Sequence, residues 1–369
     1  MSNGDGDSDR PPGTRATRDS GGHGRAIARV PVPDQNSPGA RAQFENHGRA
    51  SARVPVPDQK SARVPVPDQK TGFKSGFVAL IGRPNVGKST LLNRLVGEKM
   101  AIVSPRPQTT RTRITGIKRL PTAQIVFVDT PGLHHASSQF DQLMIKAAER
   151  AIEDVDVVCL VVEATERRDG IDDEILPRLR SCRAPVYCCL NKVDLAHPKS
   201  KVLGLIDAYR VRHPFAEIIP ISAEDGTNCD RLLDLILAAM PERPPYFPAD
   251  YVTDQPETFF VAEVIREKIF GLTRQEIPYA CAVRVEELTE RTRPECLYIR
   301  ASIFVEHDSQ KGIVIGNGGA MLKRIGAMAR GDLERFFGIK VYLDLKVQVR
   351  RNWRTNEKAL REFGFLLTS

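Results

Sequence analysis

The chain lacks any apolar run that approaches the roughly 18 residues needed for a transmembrane helix. Its first 25 residues also lack the apolar core of a secretory signal. None of the seven cysteines forms a C-x-x-C pair, and most of them lie in apolar runs. A zinc site is therefore not expected, and the thiols are predicted to be reduced. Together these absences favour a cytoplasmic protein.

Large apolar residues are almost missing between Met1 and Phe73. This stretch is rich in Gly, Pro, Ser, Asp and Arg, and the sequence SARVPVPDQK occurs at both 51–60 and 61–70, with IARVPVPDQN at 27–36. Alternating prolines oppose both helix and strand pairing, and a repeat this short cannot bury a core. We therefore predict a disordered tail over residues 1–75. It is either a flexible arm whose arginines touch RNA or a segment without a role.

The remainder of the chain is predicted to form two domains. Strands are predicted at 77–81, 125–128, 155–163, 185–190 and 218–221, and helices at 89–95, 140–152, 172–180, 201–209 and 229–240. This alternation predicts an α/β domain over 76–243, with a mostly parallel sheet and helices on both faces. The proline-rich run 241–256 breaks regular structure, and a linker is predicted at 244–256. Residues 257–369 are predicted to be a smaller α+β domain with strands at 281–287, 297–305 and 341–349 and a helix at 319–337.

A phosphate-binding loop follows the first predicted strand and opens a helix. The motif G-x-x-x-x-G-K-[ST] is matched by Gly82, Arg83, Pro84, Asn85, Val86, Gly87, Lys88 and Ser89, and Thr90 follows it. Backbone N–H groups and the helix N-terminus direct positive partial charge at phosphates. Lys88 is predicted to reach the β- and γ-phosphates, and Ser89 is predicted to bind Mg²⁺.

A second phosphate-side motif lies forty residues further on. Asp129, Thr130, Pro131 and Gly132 end a predicted strand, where the carboxylate can hold the Mg²⁺ shell and Gly132 lets the backbone follow the γ-phosphate. Between the two motifs, the run QTTR at 108–111 lacks periodicity and is predicted to be a mobile loop. Thr110, in preference to Thr109, is predicted to join the Mg²⁺ when the γ-phosphate is present. The alternative is a threonine pair that begins a strand.

The base-binding motifs point to guanine. Asn191, Lys192 and Asp194 form the N-K-x-D motif, and Ser222, Ala223 and Glu224 follow the next strand. A carboxylate at Asp194 accepts hydrogen bonds from guanine N1 and its 2-amino group, which adenine does not offer. An unpaired buried acceptor costs about 1–3 kcal/mol, so the site is expected to reject ATP.

The predicted site lacks a side chain that would orient the attacking water. Leu133 follows Gly132 at the position where Ras-like proteins carry a water-orienting glutamine, so slow intrinsic turnover is expected. Asn85 is a candidate ligand for a monovalent cation such as K⁺. The alternative for Asn85 is an Asn that shapes its own loop. His134 and His135 are interpreted as solvent-facing residues of the switch.

The second domain carries a candidate nucleic-acid clamp. Gly316, Asn317, Gly318 and Gly319 form a G-x-x-G run between apolar residues and a basic amphipathic helix. Such a run lets a nucleic-acid backbone come close. Leu322, Ile325 and Ala329 are predicted to be buried, which leaves Lys323, Arg324 and Arg330 outside. Residues 311–361 carry twelve Lys/Arg against four Asp/Glu. Trp353, among Arg350, Arg351 and Arg354, is either a stacking site or a core residue.

The ordered set of motifs resembles the Era GTPases. The motifs are GRPNVGKS, QTTR, DTPGLH, NKVD, SAE, QEIPYA at 275–280 and SQKGIVIGNGGAMLKRIG at 309–326. The resemblance spans about residues 76–364. It implies a Mg²⁺-dependent GTPase joined to a type II KH domain that recognises the 3′ end of small-subunit (16S) ribosomal RNA during ribosome assembly. It further implies that GTP favours the RNA-binding form, that hydrolysis releases the particle, and that the protein contacts the inner membrane peripherally.

Two departures from the family pattern are the tail and Asn317, where a Lys is usual. Two other functions stay open from the residues. One is an RNA-binding scaffold that nucleotide merely stabilises, and the other is a membrane- or division-linked signalling GTPase whose second domain binds protein.

Overall fold

The computed structural model of the chain describes residues 72–101, 110–133, 139–165 and 171–365. The predicted tail lies outside these residues, except at its end. Lys74 and Ser75 belong to the first strand, where they pair with Ala123 and Gln124. The predicted boundary at residue 75 is therefore wrong, because the neighbouring strand extends the pairing beyond the apolar run.

The first domain is built on a six-stranded sheet in the order β2-β3-β1-β4-β5-β6. Its elements are β1 (Lys74–Ile81), α1 (Lys88–Val96), β2 (Ile114–Leu120), β3 (Ala123–Asp129), α2 (Gln139–Glu153), β4 (Val157–Glu163), α3 (Ile171–Leu179), β5 (Val186–Asn191), α4 (Ser200–Arg210), β6 (Glu217–Pro220) and α5 (Cys229–Ala239). All neighbouring strands are parallel except β2, which pairs antiparallel with β3. The predicted α/β architecture is confirmed, with one apolar cluster on each face of the sheet.

The edge strand β2 was not predicted. Its first four residues, Ile114–Ile117, are all buried, so its pattern does not alternate as a half-exposed strand would. The antiparallel partner β3 supplies the hydrogen bonds that the local sequence does not reveal.

The second domain pairs three strands, in the order β7-β8-β9, with helices on one face. Its elements are α6 (Glu257–Leu272), α7 (Ile277–Ala280), β7 (Ala282–Thr292), β8 (Glu295–Val305), α8 (Asp308–Ile315), α9 (Ala320–Phe337), β9 (Val341–Val349) and α10 (Glu357–Glu362), with 3₁₀ turns at Asn317–Gly319 and Trp353–Thr355. The strands β7 and β8 are antiparallel, whereas β8 and β9 are parallel. The α+β prediction is confirmed.

Helix α6 was not predicted, and the reason is its position between the two domains. Val261, Val264 and Ile265 pack into the core of the second domain, while Phe259 packs against a core cluster of the first. A helix buried on more than one side carries no clean apolar stripe, so its periodicity is weak.

The connection between the domains lacks helix or strand from Met240 to Pro256. It is nevertheless bound along the first domain. The fully buried Gln124 accepts hydrogen bonds from the backbone N–H groups of Tyr246 and Phe247 (2.7 and 3.0 Å) and donates to the Phe247 carbonyl (2.8 Å). The Thr253 hydroxyl donates to the Thr115 carbonyl at 2.6 Å. The linker is therefore a fixed strap across β2 and β3.

Candidate nucleotide site and nucleic-acid interface

The phosphate-binding loop lies between β1 and α1, as the motif requires. Gly87 adopts φ 98°, and a Cβ there would lie 2.2 Å from Asn191 Nδ2, so only glycine fits this position. Helix α1 begins at Lys88, and its free N–H groups face the loop. Lys88 Nζ donates to the carbonyls of Gly82 (3.1 Å) and Arg83 (2.7 Å). Burial lowers the pKa of Lys88 to about 8, an effect that Asp129 opposes.

Three predicted metal ligands converge beside this loop. Ser89 Oγ donates to Asp129 Oδ2 at 2.6 Å, and Thr110 Oγ1 lies 2.8 Å from Ser89 Oγ and 3.2 Å from the same Asp129 oxygen. Asp129 is fully buried, and this burial raises its pKa, while Lys88 opposes the rise. The second carboxylate oxygen, Oδ1, is buried without a hydrogen-bond partner among the described residues. Two hydroxyls and an unsatisfied carboxylate oxygen form the hard oxygen set that suits Mg²⁺.

The segment after Asp129 packs directly on the phosphate-binding loop. Thr130 Oγ1 donates to the Leu80 carbonyl at 3.0 Å, and the Leu133 N–H donates to the Gly82 carbonyl at 3.0 Å. A Cβ on Gly132 would lie 2.5 Å from the Pro84 nitrogen. Leu133 is buried in the core cluster with Ile81, so it presents no polar group to a nucleotide. His134 and His135 lie outside the described residues, as do Gln108 and Thr109.

Both polar groups of the Asn191 side chain are bonded to backbone groups of other loops, so they do not point to a base. Its Nδ2 donates to the Val86 carbonyl at 2.7 Å, and its Oδ1 accepts from the Ala223 N–H at 2.9 Å. The side chain is buried and joins the phosphate-binding loop to the second base loop. Its contribution to a nucleotide site is therefore to position these two loops.

Asp194 has the geometry of an unsatisfied acceptor. Its Oδ1 is buried without a hydrogen-bond partner among the described residues. Lys192, with φ 65°, donates to Glu163 Oε2 at 2.6 Å, which holds the loop that carries Asp194. A buried carboxylate oxygen costs free energy until a donor reaches it, so this position favours a ligand with N–H groups.

Arg94 is a site residue that the sequence analysis missed. From α1 it donates through Nε to the Ala223 carbonyl at 3.1 Å and through Nη2 to the Glu224 carbonyl, and it thereby fixes the Ser222–Ala223–Glu224 loop. Ser222 Oγ accepts from the Asp225 N–H at 3.2 Å and closes the same turn. No motif marks Arg94, because its partners lie about 130 residues away along the chain. Thr90, by contrast, is half-buried in the first turn of α1, as its motif position implies.

The G-x-x-G run forms the turn between α8 and α9. Gly316 ends α8 with φ 72°, and a Cβ there would lie 2.7 Å from Met321 Cβ. Asn317, Gly318 and Gly319 form a 3₁₀ turn, and a Cβ on Gly318 or Gly319 would meet no atom of the described residues within 4 Å. Helix α9 follows at Ala320, whose N–H donates to the Asn317 carbonyl and so continues the turn.

The basic face predicted for α9 is present. Leu322, Ile325 and Ala329 are buried, while Lys323 and Arg324 are exposed, as predicted; the structure places Arg330 at intermediate exposure. The open glycine turn and the two exposed cations form one surface next to a helix N-terminus, where a phosphate backbone is favoured.

Trp353 is a core residue, so its alternative role as an exposed stacking site is wrong. Its side chain is fully buried, and Nε1 donates to the Ala280 carbonyl at 3.0 Å. Arg350 pairs with Glu362, and Arg354 pairs with Glu306. Of the three arginines around Trp353, Arg351 is the exposed one.

All seven cysteines are free in the structure, and five of them are buried. Within the described ranges, no helix is both long and apolar enough to span a bilayer.

Comparisons with known proteins match both halves of the chain. Residues 77–192 match the family model of the 50S ribosome-binding GTPases, and residues 276–354 match that of the KH domain. The chain is 52% identical over 293 residues to the GTPase Era of Geobacter metallireducens and 49% identical over 293 residues to that of Geotalea daltonii. Each alignment covers 79% of this chain and 98% of the relative.

Two solved structures are also similar over most of the chain. A crystal structure of Era in complex with MgGDPNP and nucleotides 1506–1542 of 16S ribosomal RNA matches with TM-score 0.77 and 42% identity. A variant of Aquifex aeolicus Era bound to GDP and AlF4⁻ matches with TM-score 0.76 and 41% identity. Both matches cover 80% of this chain and 100% of the other.

Proposed function

The chain belongs to the Era family of GTPases, and on that premise we propose that it is a GTP-hydrolysing switch that binds the 3′ end region of small-subunit ribosomal RNA and acts in small-subunit assembly. The GTPase family that matches the first domain is named for binding to the 50S particle, the large ribosomal subunit. The RNA held by the similar Era structure is a segment of 16S RNA, which belongs to the small subunit. That complex supports the small subunit as the target of this chain.

The observation that carries the proposal is a pair of buried carboxylate oxygens without hydrogen-bond partners among the described residues, one beside each of two connected loops. Asp129 Oδ1 lies beside the phosphate-binding loop, and Asp194 Oδ1 lies in the base loop. Asn191 connects the two loops through Val86 and Ala223. A ligand with a cation at its phosphate end and N–H donors at its base end satisfies both carboxylates, and GTP with Mg²⁺ has these groups.

The residues present define the roles in hydrolysis. Lys88 and the N–H groups that open α1 offset the negative charge on the β- and γ-phosphates. Ser89, Thr110 and Asp129 would hold Mg²⁺, which neutralises phosphate charge as it develops. Gly132 allows the backbone to approach the γ-phosphate. Because the buried Leu133 does not orient water, intrinsic turnover is slow, and RNA or an assembling particle is the stimulus.

RNA binding is assigned to the turn Gly316–Gly319 with Lys323 and Arg324. The first turn of α9 supplies backbone N–H groups, and the two exposed cations supply charge. Asn317 places an amide where a Lys is usual, so one phosphate contact is weaker while the backbone clamp is retained. In this proposal GTP hydrolysis belongs to the first domain and RNA binding belongs to the second.

The test of the proposed function is GTP turnover with and without an oligonucleotide of the 3′ end of small-subunit rRNA. We expect stimulation by this RNA and not by a shuffled oligonucleotide of the same length. RNA binding itself is expected to weaken steeply with salt because phosphate contacts release counterions. If GTP turnover does not respond to the RNA and RNA affinity does not change with salt, the RNA-binding part of the proposal is wrong. Only the GTPase activity would then remain.

A dependence on K⁺ is a further prediction from Asn85. This residue lies in the phosphate-binding loop with φ 64°, a conformation that Asn adopts more readily than most residues. We propose that its side-chain oxygen helps to coordinate K⁺ at the nucleotide. The cation would offset phosphate charge at a site where Leu133 stands in place of a polar residue. Turnover is expected to be faster in K⁺ than in Na⁺ at equal ionic strength, and Asn85→Ala is expected to remove the difference. Equal rates in the two salts contradict this prediction.

The peripheral contact with the inner membrane that the resemblance implies stays a prediction. It is checked by sedimentation of the full chain with anionic lipid vesicles at two salt concentrations.

A further inference from the structure

Arg111 follows the metal-site residue Thr110 directly, but its guanidinium lies in the other domain. Nη1 donates to the Cys281 carbonyl at 2.8 Å, and Nη2 donates to the carbonyls of Pro278 (2.9 Å) and Tyr279 (3.0 Å). The residue is 5% exposed. Two consecutive residues therefore contact different domains. The Thr110 hydroxyl meets Ser89 and Asp129, and the Arg111 guanidinium is buried in the KH domain.

The environment of Arg111 makes this contact specific. Burial and the neighbouring Arg266 lower the pKa of Arg111 to about 9, so the guanidinium stays charged near neutral pH. A buried cation needs its hydrogen bonds, and the planar fork of Arg reaches several carbonyls at once where the single ammonium of Lys does not. The guanidinium also lies 5.6 Å from the ring centroid of Phe270. Withdrawal of this side chain would leave the carbonyls of α7 without these donors.

The segment that receives Arg111 is also contacted by other parts of the molecule. The Ala280 carbonyl, between the carbonyls that Arg111 contacts, accepts from Trp353 Nε1. Met144 of α2, the helix that follows the D-x-x-G segment, packs in the same cluster as Trp353 and Phe304. Two segments of the first domain therefore meet the core of the KH domain near the end of α7. They are the loop that carries Arg111 and helix α2.

A second contact holds the chain on the other side of residues 102–109. Lys99 forms ion pairs with Glu267 Oε2 (2.8 Å) and Asp332 Oδ2 (3.3 Å) of the KH domain. Lys99 is 42% exposed in its side chain, so this pair is solvent-screened and weak, unlike the buried Arg111 contact. It offers a matched control, because it crosses the same domain boundary without being adjacent to a metal ligand.

We propose that Arg111 is the positioning residue that couples the γ-phosphate and Mg²⁺ state, through Thr110, to RNA binding by the KH domain. The inference rests on the proposed function. When Thr110 is engaged at the metal site, Arg111 is held on the α7 carbonyls. When the γ-phosphate is lost, Thr110 is released from the metal site, and its movement shifts Arg111, since consecutive Cα atoms are only about 3.8 Å apart. Coupling of this kind is reciprocal, so RNA must favour GTP by the same factor that GTP favours RNA.

The experiment measures RNA affinity of the full chain with GDPNP and with GDP, using the 3′-end rRNA oligonucleotide. We expect a ratio of about 5- to 150-fold for the wild type, the usual range of allosteric coupling. Arg111→Met is expected to reduce the ratio to within about twofold, Arg111→Lys to an intermediate value, and Lys99→Met to leave it unchanged. GDP affinity is expected to be unchanged in all variants, because Thr110 is needed only with γ-phosphate.

A purely structural role for Arg111 would lower RNA affinity equally with both nucleotides and would leave the ratio intact, which overturns the proposal. A wild type that binds RNA equally in both states overturns it as well. Fluorescence supplies a readout without RNA, since Trp353 is the single tryptophan of the chain and lies against Ala280. Its emission is expected to differ between GDPNP and GDP in the wild type and in Lys99→Met, but not in Arg111→Met. If no variant binds RNA, the proposed function fails, while this emission difference still decides the role of Arg111.

Discussion

The variant Asp194→Asn is expected to lose affinity for GTP by about 10²- to 10⁴-fold, because two hydrogen bonds to a charged acceptor contribute about 1.5–3 kcal/mol each. Oδ1 of Asp194 is buried without a partner among the described residues, and the Asp194 carboxylate is the group that guanine N1–H and the 2-amino group would satisfy. A carboxamide presents an N–H₂ group in the same space, which opposes the donors of guanine.

The matched test uses XTP, whose base carries a carbonyl where guanine has its 2-amino group. The carboxamide of Asp194→Asn donates to that carbonyl, so the variant is expected to prefer XTP, whereas the wild type prefers GTP. Affinities are measured by isothermal titration with the diphosphates and triphosphates of both bases. An equal loss of affinity for guanine and xanthine nucleotides would show that Asp194 supports the loop and does not recognise the base.

The double variant Asn317→Asp with Gly318→Asp is expected to weaken RNA binding by about 100-fold or more. A unit charge about 4 Å from a phosphate costs about 1 kcal/mol in water and about 4 kcal/mol near a protein surface, and two such charges are introduced. The structure favours these two positions over Gly316. Within the part of the chain that the structure describes, a Cβ at Gly318 meets no atom within 4 Å, whereas one at Gly316 would collide with Met321. The φ of 57° at Gly318 is one that Asp and Asn tolerate better than other residues.

The control for this variant is Gly318→Asn alone, which creates the same pair of side-chain shapes without charge. Filter binding of the 3′-end rRNA oligonucleotide is expected to separate the two, with the control close to the wild type. GTP turnover without RNA is expected to be equal in all three proteins, since the turn lies in the other domain. Equal RNA binding by the two variants would place the phosphate contacts elsewhere than at this turn.

The sequence predicted the local geometry of the candidate site wherever that geometry depends on a short segment. The phosphate-binding loop needs glycine conformations and a helix that begins at Lys88, and both requirements are met within eight residues of chain. The turn at Gly316–Gly319 likewise encodes its own geometry. Sequence reasoning did less well with elements buried on several sides. Strand β2 and helix α6 carry no clear period, because their neighbours cover more than one face.

The sequence by itself determined the order of the motifs, the prediction of guanine at Asp194 and the burial of the α9 stripe, since each depends on local spacing and side-chain chemistry. Only the tertiary structure decided which distant groups meet. Gln124 binds the linker 123 residues away, and Arg111 reaches Cys281 across 170 residues. A buried polar side chain takes its partners from whichever backbone groups the packed domains leave unpaired, and no local pattern specifies these. The connection from Thr110 to the KH domain therefore became visible only when the two domains were seen in contact.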